Sequence, residues 1–219
     1  MLHIDVISDV VCPWCYIGKK KLERALELYR ERNPEAESPE VSWHPFQLNP
    51  DMPEGGIDRG EYLQRKFGRQ SSQIYARVSA AGAQVGIPFA FDKVTRQPNT
   101  VAAHSLILLA GDSALQNTVV EGLFRGYFIE GRDLNARETL TEIACAAGLV
   151  KPQVDACLAS AQVREQVRSE DEQARRLGVE GVPFFVFNRR YAVSGAQDPE
   201  VLVDAVLASE REPLPANDE

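Results

Sequence analysis

The most reactive feature of this sequence is a pair of cysteines with two residues between them. Cys12, Pro13, Trp14 and Cys15 follow an alternating apolar segment and precede a run with helical spacing. The start of a helix has unpaired main-chain N–H groups and partial positive charge, so it stabilises an anion. We expect a thiolate on Cys12 to be stabilised by this position, so that Cys12 is the attacking sulfur. Cys15 is placed to form a disulfide with Cys12, so the pair can exchange two electrons through a mixed disulfide.

A metal site is the alternative use of this spacing. Tetrahedral zinc needs a second pair of ligands at short spacing. Cys145 and Cys157 are twelve residues apart, and the histidines are scattered along the chain at His3, His44 and His104. We therefore expect no metal. We interpret Cys145 and Cys157 as buried free thiols, with a second redox pair as the alternative.

A proline at the start of an apolar run is the second notable feature. Gly181-Val182-Pro183 precedes a run of four apolar residues, and proline at the mouth of a core strand indicates an edge position or a cis bond. We predict a cis Val182–Pro183 bond that turns the Val182 main chain outward to pair with an extended substrate. Trp14 is expected to be exposed and to line the same groove.

Three polar residues are candidates for supporting roles. His104 lies on an apolar helix, where it is either a hydrogen-bonded core residue or a cleft residue that contacts substrate. Asp5 and Asp9 flank the end of the first strand, and either is a candidate proton shuttle for Cys15.

The first and last segments of the chain predict α/β structure. Leu2 to Val6 alternates as a strand, a helical stripe begins at Cys15 and ends at Asn33-Pro34, and a second strand spans 41–47. Near the other end, a strand at 184–187, a turn and a returning strand at 191–193 precede a helix. Asp198 and Pro199 supply the N-cap and first position of that helix.

Helical spacing dominates the region between these two segments. We predict one α/β domain, split into residues 1–57 and 178–210, with a helical domain inserted at 58–177 and a flexible tail at 211–219. The expected helices of the insertion lie near 59–67, 71–84, 99–111, 113–130, 136–147, 152–160 and 163–177.

Composition excludes several classes of protein. Of the 219 residues, 44% are hydrophobic and 26% charged, which is ordinary for a globular chain and unlike a disordered one. The net charge of −8 is unfavourable for a nucleic-acid binder, and we interpret the basic cluster Lys19-Lys20-Lys21 as a solvated helix face. No apolar run approaches the roughly 20 residues that span a bilayer. The N-terminal residues lack the apolar stretch of a signal peptide, so we expect a cytoplasmic protein.

The ordered set of motifs resembles the DsbA-type branch of the thioredoxin superfamily, and within it the FrnE-type oxidoreductases. These are relatives of 2-hydroxychromene-2-carboxylate isomerases and kappa-class glutathione transferases. The resemblance spans essentially the whole chain. It is carried by SDVVCPWC at 8–15, FQLNPDMP at 46–53, NTVAAH at 99–104, GVPFFV at 181–186 and SGAQ at 194–197.

The resemblance implies a thioredoxin fold, β-α-β … β-β-α, and a thiol–disulfide oxidoreductase. Cys12 would be the nucleophile, Cys15 the resolving thiol and Pro183 the cis-proline facing them, while Pro13, Trp14, Val182 and His104 would contact substrate. Expected partners are protein or small-molecule thiols and disulfides, with no cofactor beyond the redox-active disulfide. Glutathione is a possible co-substrate.

Two alternative functions remain open at this point. The kappa-type relatives usually carry serine where Cys12 stands, so the presence of both cysteines favours dithiol exchange. The alternatives are a glutathione-dependent isomerase or transferase acting on a small aromatic substrate, and a non-catalytic chaperone-like binder.

Overall fold

The computed structural model describes residues 2–211. Its strands and α-helices follow one another in this order: β1 (His3–Ser8), α1 (Pro13–Arg32), β2 (Glu40–Pro45), β3 (Ile57–Asp58), α2 (Arg59–Phe67), α3 (Ser71–Gln84), β4 (Arg96–Gln97), α4 (Val101–Ala110), α5 (Ser113–Phe128), α6 (Arg137–Ala146), α7 (Lys151–Ala159), α8 (Ala161–Arg176), β5 (Phe184–Phe187), β6 (Tyr191–Ser194) and α9 (Pro199–Arg211). Single turns of 3-10 helix lie at Gly68–Gln70 and Phe91–Lys93.

The central sheet joins the two ends of the chain. Its four strands lie in the order β2-β1-β5-β6, with β1 parallel to β2 and antiparallel to β5. In this register Ile7 of β1 lies opposite Phe184 of β5, next to the Val182–Pro183 segment. The predicted α/β class and the β-α-β … β-β-α order are confirmed. The predicted boundaries of the inserted domain stay a prediction, and all of the predicted tail except Arg211 lies outside the described residues.

The sheet is covered on both faces, as the continuous apolar run of β5 predicts. Phe185 and Phe187 are fully buried in the main core together with residues of α1 and α9. On the opposite face, Ile7 and Phe46 form a smaller cluster with residues of and just after α8, against which Phe184 packs. The end of β1 that leads into the Cys12–Cys15 segment is therefore packed on both faces of the sheet.

The helical region between the two halves protects the open edge of the sheet. Ser113, at the start of α5, exchanges hydrogen bonds with the main chain of Val41, and the Gln116 side chain accepts from the Trp43 N–H at 3.0 Å. An edge strand otherwise presents unpaired main-chain groups. These contacts hold the helical region against β2.

The basic cluster on α1 is not the solvated face that the sequence predicts. The Lys19 side chain is only 2% exposed and forms ion pairs with Glu23 and with Glu121 of α5. Lys20 shares both carboxylates, and the Tyr16 hydroxyl donates to Glu121 at 2.7 Å. A buried lysine needs a paired carboxylate, so this network joins the cysteine-bearing helix to the helical region.

One element of the insertion was not anticipated. β3 and β4 form a two-stranded antiparallel ribbon, in which Ile57 lies opposite Gln97. The predicted insertion helices agree with α2 to α8 to within about two residues at each end. No helix within residues 2–211 has both the length and the apolar character needed to cross a bilayer.

Candidate functional site

The two cysteines occupy the junction of β1 and α1. Cys12 is the N-cap residue of α1 in an extended conformation, and Pro13 takes the first helical position, where its missing N–H costs nothing. The Cys15 N–H donates to the Cys12 carbonyl at 3.0 Å. Both thiols are free, and the residues are 5% and 1% exposed, whereas Trp14 between them is 42% exposed. The exposed tryptophan marks the open side of the site.

The Val182–Pro183 segment faces Cys12. The Cys12 sulfur lies 3.6 Å from the Val182 carbonyl oxygen, to which it donates, and the Val182–Pro183 peptide bond is cis. We had expected the Val182 carbonyl to be turned outward to pair with substrate. In this dithiol form it is engaged by Cys12 instead.

Gly18 allows the proline segment to approach the helix. A side chain at Gly18 would place its Cβ 2.8 Å from Pro183 Cγ and 3.2 Å from the Phe185 ring. Real Cβ atoms do not approach other heavy atoms this closely, so only glycine permits Pro183 to seat against α1. The sequence analysis did not identify this role of Gly18.

Cys15 lies in the interior behind Cys12. Burial raises the pKa of the Cys15 thiol well above its usual range, and hydrogen bonding to the Cys12 thiol acts in the same direction. The main-chain N–H of Asp9 and the hydroxyl of Ser8 act to lower that pKa. Cys15 is therefore a protonated, enclosed thiol whose polar neighbours come from the end of β1.

Asp9 and His104 form a buried pair next to this thiol. Their side chains are 1% and 2% exposed, and the His104 Nε2 lies 3.4 Å from an Asp9 carboxylate oxygen. Neither of these two atoms has a hydrogen-bond partner among the described residues, whereas the other Asp9 oxygen accepts from the Leu48 N–H at 2.8 Å. His104 is therefore enclosed in the core, as the first of its two predicted alternatives has it, and its contact with substrate stays a prediction.

Asp5, the other predicted proton shuttle, belongs to a different environment. Its carboxylate lies 2.9 Å from the Nε2 of His44, which is on the neighbouring strand β2, and both side chains are partly exposed. Hydrogen bonding to His44 lowers the pKa of Asp5, with further lowering by Arg189 and His3. All of these groups belong to the sheet and its turns, so Asp5 is not a neighbour of the dithiol.

A buried arginine that packs against tyrosines of α2 and α3 was missed by the sequence analysis, since nothing in the sequence around Arg59 sets it apart. Arg59 is 6% exposed; its guanidinium donates to the side chains of Gln97 and Tyr75. It also lies 5.2 Å and 5.4 Å from the ring centres of Tyr62 and Tyr75. Tyr75 interacts electrostatically with both Arg59 and Cys12. Within residues 2–211 no carboxylate forms an ion pair with Arg59, so this buried cation has no counter-charge there.

The remaining cysteines lie away from this junction. Cys157 of α7 is buried and donates to the Ser105 carbonyl at 3.3 Å, while Cys145 of α6 is half-buried. Burial raises the pKa of the Cys157 thiol. Cys157 is the buried free thiol that the sequence predicts, whereas Cys145 is free but only half-buried. Among the described residues no cluster of histidine, cysteine and acidic side chains is arranged to hold a metal ion.

Solved structures resemble this chain over nearly its whole length. A probable DsbA oxidoreductase from Streptomyces coelicolor is 32% identical, with a TM-score of 0.86 and coverage of 99% of this chain and 93% of its own. The cytosolic disulfide reductase DsbM from Pseudomonas aeruginosa, solved with GSH, is 20% identical at a TM-score of 0.67, over 96% and 100% of the two chains. A 2-hydroxychromene-2-carboxylate isomerase is 15% identical at a TM-score of 0.71, over 95% of each chain.

The match to a protein family agrees with the site geometry. The family model described as a DSBA-like thioredoxin domain matches residues 3–207, which include the dithiol, the helical region and the Val182–Pro183 segment. A match of this extent includes both halves of the central sheet. This chain therefore belongs to the DSBA-like thioredoxin domain family.

Proposed function

We propose that this protein is a thiol–disulfide oxidoreductase that exchanges disulfides with protein substrates through Cys12 and Cys15. One observation carries the proposal. Two free thiols lie one helical turn apart at the start of α1, with the outer sulfur against the Val182 carbonyl and the inner one enclosed. Membership of a family whose members are generally oxidoreductases supports the same activity.

The exchange proceeds in two balanced steps. The Cys12 thiolate attacks one sulfur of a substrate disulfide, and the other substrate sulfur leaves with the bonding electron pair. Cys15 then loses its proton and attacks the Cys12 sulfur of the mixed disulfide. The Cys12–Cys15 disulfide forms, and the second substrate sulfur leaves as a thiolate. The substrate gains two electrons and the protein loses them; the reverse sequence oxidises a substrate dithiol.

Substrate is held by the surface around the outer sulfur. When Cys12 forms a mixed disulfide its thiol proton is gone, so the Val182 carbonyl is released from the contact seen in the dithiol form. An extended substrate segment then pairs with the Val182 main chain and lies against Pro183, Pro13 and the exposed Trp14 ring. Main-chain pairing is tolerant of sequence, which suits an enzyme with several protein substrates.

The disulfide itself is the only redox group that this mechanism needs. We propose no bound cofactor and no metal, with protein or small-molecule thiols and disulfides as partners rather than nucleic acid. We also propose a cytoplasmic location, which rests on the sequence analysis and on the similarity to the cytosolic disulfide reductase DsbM.

A glutathione-dependent isomerase or transferase acting on a small aromatic substrate is the second candidate. The buried guanidinium of Arg59, which forms no ion pair with any of the described residues, is the observation that favours it, because a buried cation is costly without an anion. Tyr75 interacts electrostatically with both Arg59 and Cys12. Glutathione carries carboxylates beside its thiol, and DsbM from Pseudomonas aeruginosa was solved with GSH. In this reading Cys12 orients the glutathione sulfur and Cys15 is dispensable.

Trapping of the intermediate separates these two functions. Reduced Cys15→Ala protein, incubated with disulfide-bonded insulin, should form a covalent complex on non-reducing gels, since nothing then displaces the substrate from Cys12. The matched Cys12→Ala protein should form none. Glutathione-dependent turnover of an aromatic substrate that survives Cys15→Ala, without any accumulated complex, would replace the first proposal by the second.

A further inference from the structure

The helical region holds a buried arginine whose charge no carboxylate balances within residues 2–211. Arg59 of α2 is 6% exposed and forms no ion pair with any described residue. Its guanidinium donates to the side chain of Gln97 and to the hydroxyl of Tyr75, which are both neutral groups. A buried cation is costly to keep without an anion, which points to a use for its charge.

Tyr75 of α3 is a half-buried residue with an unused donor. Its oxygen accepts from Arg59, and its O–H proton has no acceptor among the described residues. Accepting a hydrogen bond from a cation strengthens a hydroxyl as a donor. Burial raises the pKa of the Tyr75 hydroxyl, so the group keeps its proton at neutral pH. Tyr75 is therefore a polarised donor available to another partner.

The Tyr75 hydroxyl belongs to the surroundings of Cys12. The two groups interact electrostatically, and the helices that carry them, α3 and α1, pack against each other. A row of aromatic rings fixes this packing. The ring centres of Tyr75 and Phe91 are 4.5 Å apart, and Phe91 lies 4.8 Å from Phe89. Phe89 in turn meets the ring of Tyr16 on α1 at 6.2 Å.

The other groups around these two residues do not take the place of this donor. The Cys12 thiol donates to the Val182 carbonyl, which is only an acceptor. The electrostatic partners of Tyr75 are Arg59, Tyr62 and Cys12, so no carboxylate competes for its proton. Within the part of the chain that the structure describes, no hydrogen bond joins Tyr75 to Cys12 in this dithiol form.

The first exchange step creates a demand for a donor at some distance from Cys12. When Cys12 attacks a disulfide, the attacked sulfur and the leaving sulfur line up with it. The leaving sulfur then lies at least about two S–S bond lengths, roughly 4 Å, from the Cys12 sulfur. Negative charge develops there, and a preorganised donor beside it lowers the barrier.

We propose that the Tyr75 hydroxyl, held and polarised by Arg59, donates to the substrate sulfur that leaves when Cys12 attacks. This inference rests on the proposed function. The Cys12 electron pair forms the new S–S bond, and the leaving sulfur keeps the electron pair of the old bond as a thiolate. The Tyr75 proton stays on its oxygen, and the released thiolate takes a proton from water. Arg59 is a positioning residue that acts through Tyr75.

The leaving sulfur can be varied without changing Cys12. Bis(2-hydroxyethyl) disulfide releases an alkyl thiolate, whose charge stays on sulfur, whereas 4,4′-dithiodipyridine and DTNB release aromatic thiolates, whose charge spreads into the ring. The less acidic alkyl thiol is the poorer leaving group. The parent protein carries Cys15→Ala and Cys145→Ala, so the mixed disulfide on Cys12 persists. Acid quenching and peptide mass spectrometry give the rate of adduct formation with each disulfide.

Tyr75→Phe should slow adduct formation with bis(2-hydroxyethyl) disulfide by at least about tenfold and leave the two aromatic disulfides within about threefold. Arg59→Gln should give the same pattern, and Arg59→Lys should recover part of the rate with the alkyl disulfide because it keeps the charge. The matched Tyr62→Phe removes a hydroxyl from the other ring beside Arg59 and should change each rate by less than about twofold.

Equal slowing with all three disulfides, or no slowing, would overturn the inference, because an effect on Cys12 itself or on the fold acts on every disulfide alike. A larger loss with DTNB, which alone among the three carries carboxylates, would overturn it in favour of carboxylate binding at Arg59. If the parent protein forms no adduct on Cys12 with any disulfide, the proposed function is refuted instead.

The parent protein also provides a measurement that needs no substitution of Tyr75 or Arg59. The ratio of its rates with 4,4′-dithiodipyridine and bis(2-hydroxyethyl) disulfide is compared with the same ratio for free glutathione at the same pH. Stabilisation of the leaving sulfur favours the poorer leaving group, so the ratio for the protein should be at least about tenfold smaller. Equal ratios for the protein and for glutathione would contradict the inference.

Discussion

The chain carries two pairs of cysteines, and only one of them has surroundings suited to exchange. Cys12 lies at the N-terminus of α1 against the Val182 carbonyl, with Cys15 one turn further in. Cys145 and Cys157 lie on two helices of the helical region, where the Cys157 thiol is satisfied by the Ser105 carbonyl. Exposure does not distinguish the pairs, because Cys12 and Cys157 are both 5% exposed.

The difference between the pairs lies in what faces each sulfur. Cys12 meets a carbonyl that it can release on reaction, beside an exposed tryptophan that can contact a substrate. Cys157 of α7 is buried in the helical region, where its thiol donates to the Ser105 carbonyl of α4. Burial raises the pKa of the Cys157 thiol. In the function proposed above, reactivity comes from the helix terminus and the segment opposite it, and the presence of cysteine alone does not supply it.

The largest expected effect separates the two pairs directly. Cys12→Ala should lower the rate of insulin disulfide reduction by at least about 10³-fold, because no other thiol can start the exchange. Cys145→Ala, the matched control, should retain the rate within about twofold. Loss of activity in Cys145→Ala would show that the second pair takes part in the reaction, and it would contradict the difference in reactivity between the two pairs.

Substitution of Gly18 tests the segment that faces Cys12. Gly18→Ala forces Pro183 away from α1, since the new Cβ would lie 2.8 Å from the proline ring. We expect about a tenfold lower rate of insulin reduction and a loss of about 1–3 kcal/mol in the free energy of unfolding. Gly181→Ala is the control, because no atom lies within 4 Å of the Cβ it would add. Equal rates for the two variants would show that the close packing of Pro183 against α1 does not affect the rate of insulin reduction.

A smaller effect is expected where α1 is joined to the helical region. Glu121→Gln leaves the buried Lys19 with a single carboxylate, so the free energy of unfolding should fall by about 1–3 kcal/mol in urea titrations at pH 7. Glu130→Gln removes only an exposed pair with Arg125 and should cost less than about 0.5 kcal/mol. A similar cost for both variants would contradict the importance of the network.

The same network predicts a dependence on pH. Burial acts to raise the pKa of Glu121, but Lys19, Tyr16 and Lys20 outweigh it and bring the pKa to about 2, below the ordinary 4.5. A lowered pKa in the folded state stabilises the protein above the unfolded value, and this contribution is lost as pH falls from about 4.5 towards 2. Urea titrations across that interval should show a smaller loss in Glu121→Gln than in the wild type.

The order of elements and the dithiol could be predicted because both depend on local pattern. Alternation in β1, the stripe of α1 and the proline at the start of α9 each arise within a few neighbouring residues. The ribbon of β3 and β4 could not be predicted, since two residues in each strand have no measurable period.

The remaining errors concern contacts between distant parts of the chain. Lys19 is charged and lies in a basic run, and its burial depends on Glu121, 102 residues away, as well as on Glu23 one turn further along α1. Gly18 lies against Pro183, and the Asp9 carboxylate faces His104, in both cases across a long stretch of sequence. The sequence near these residues gives no indication of partners so far away along the chain. The sequence therefore predicted the position of the two thiols at the start of α1 but not the residues packed around them.

Equilibration in glutathione redox buffers, followed by alkylation and mass spectrometry, tests the central claim most directly. Cys12 and Cys15 should become protected from alkylation together, in one two-electron transition, while Cys145 and Cys157 stay alkylated. The oxidised protein should carry an intramolecular disulfide, seen as the loss of two hydrogen atoms. A stable glutathione adduct on Cys12 with Cys15 still free, or oxidation of Cys145 and Cys157 first, would contradict the account.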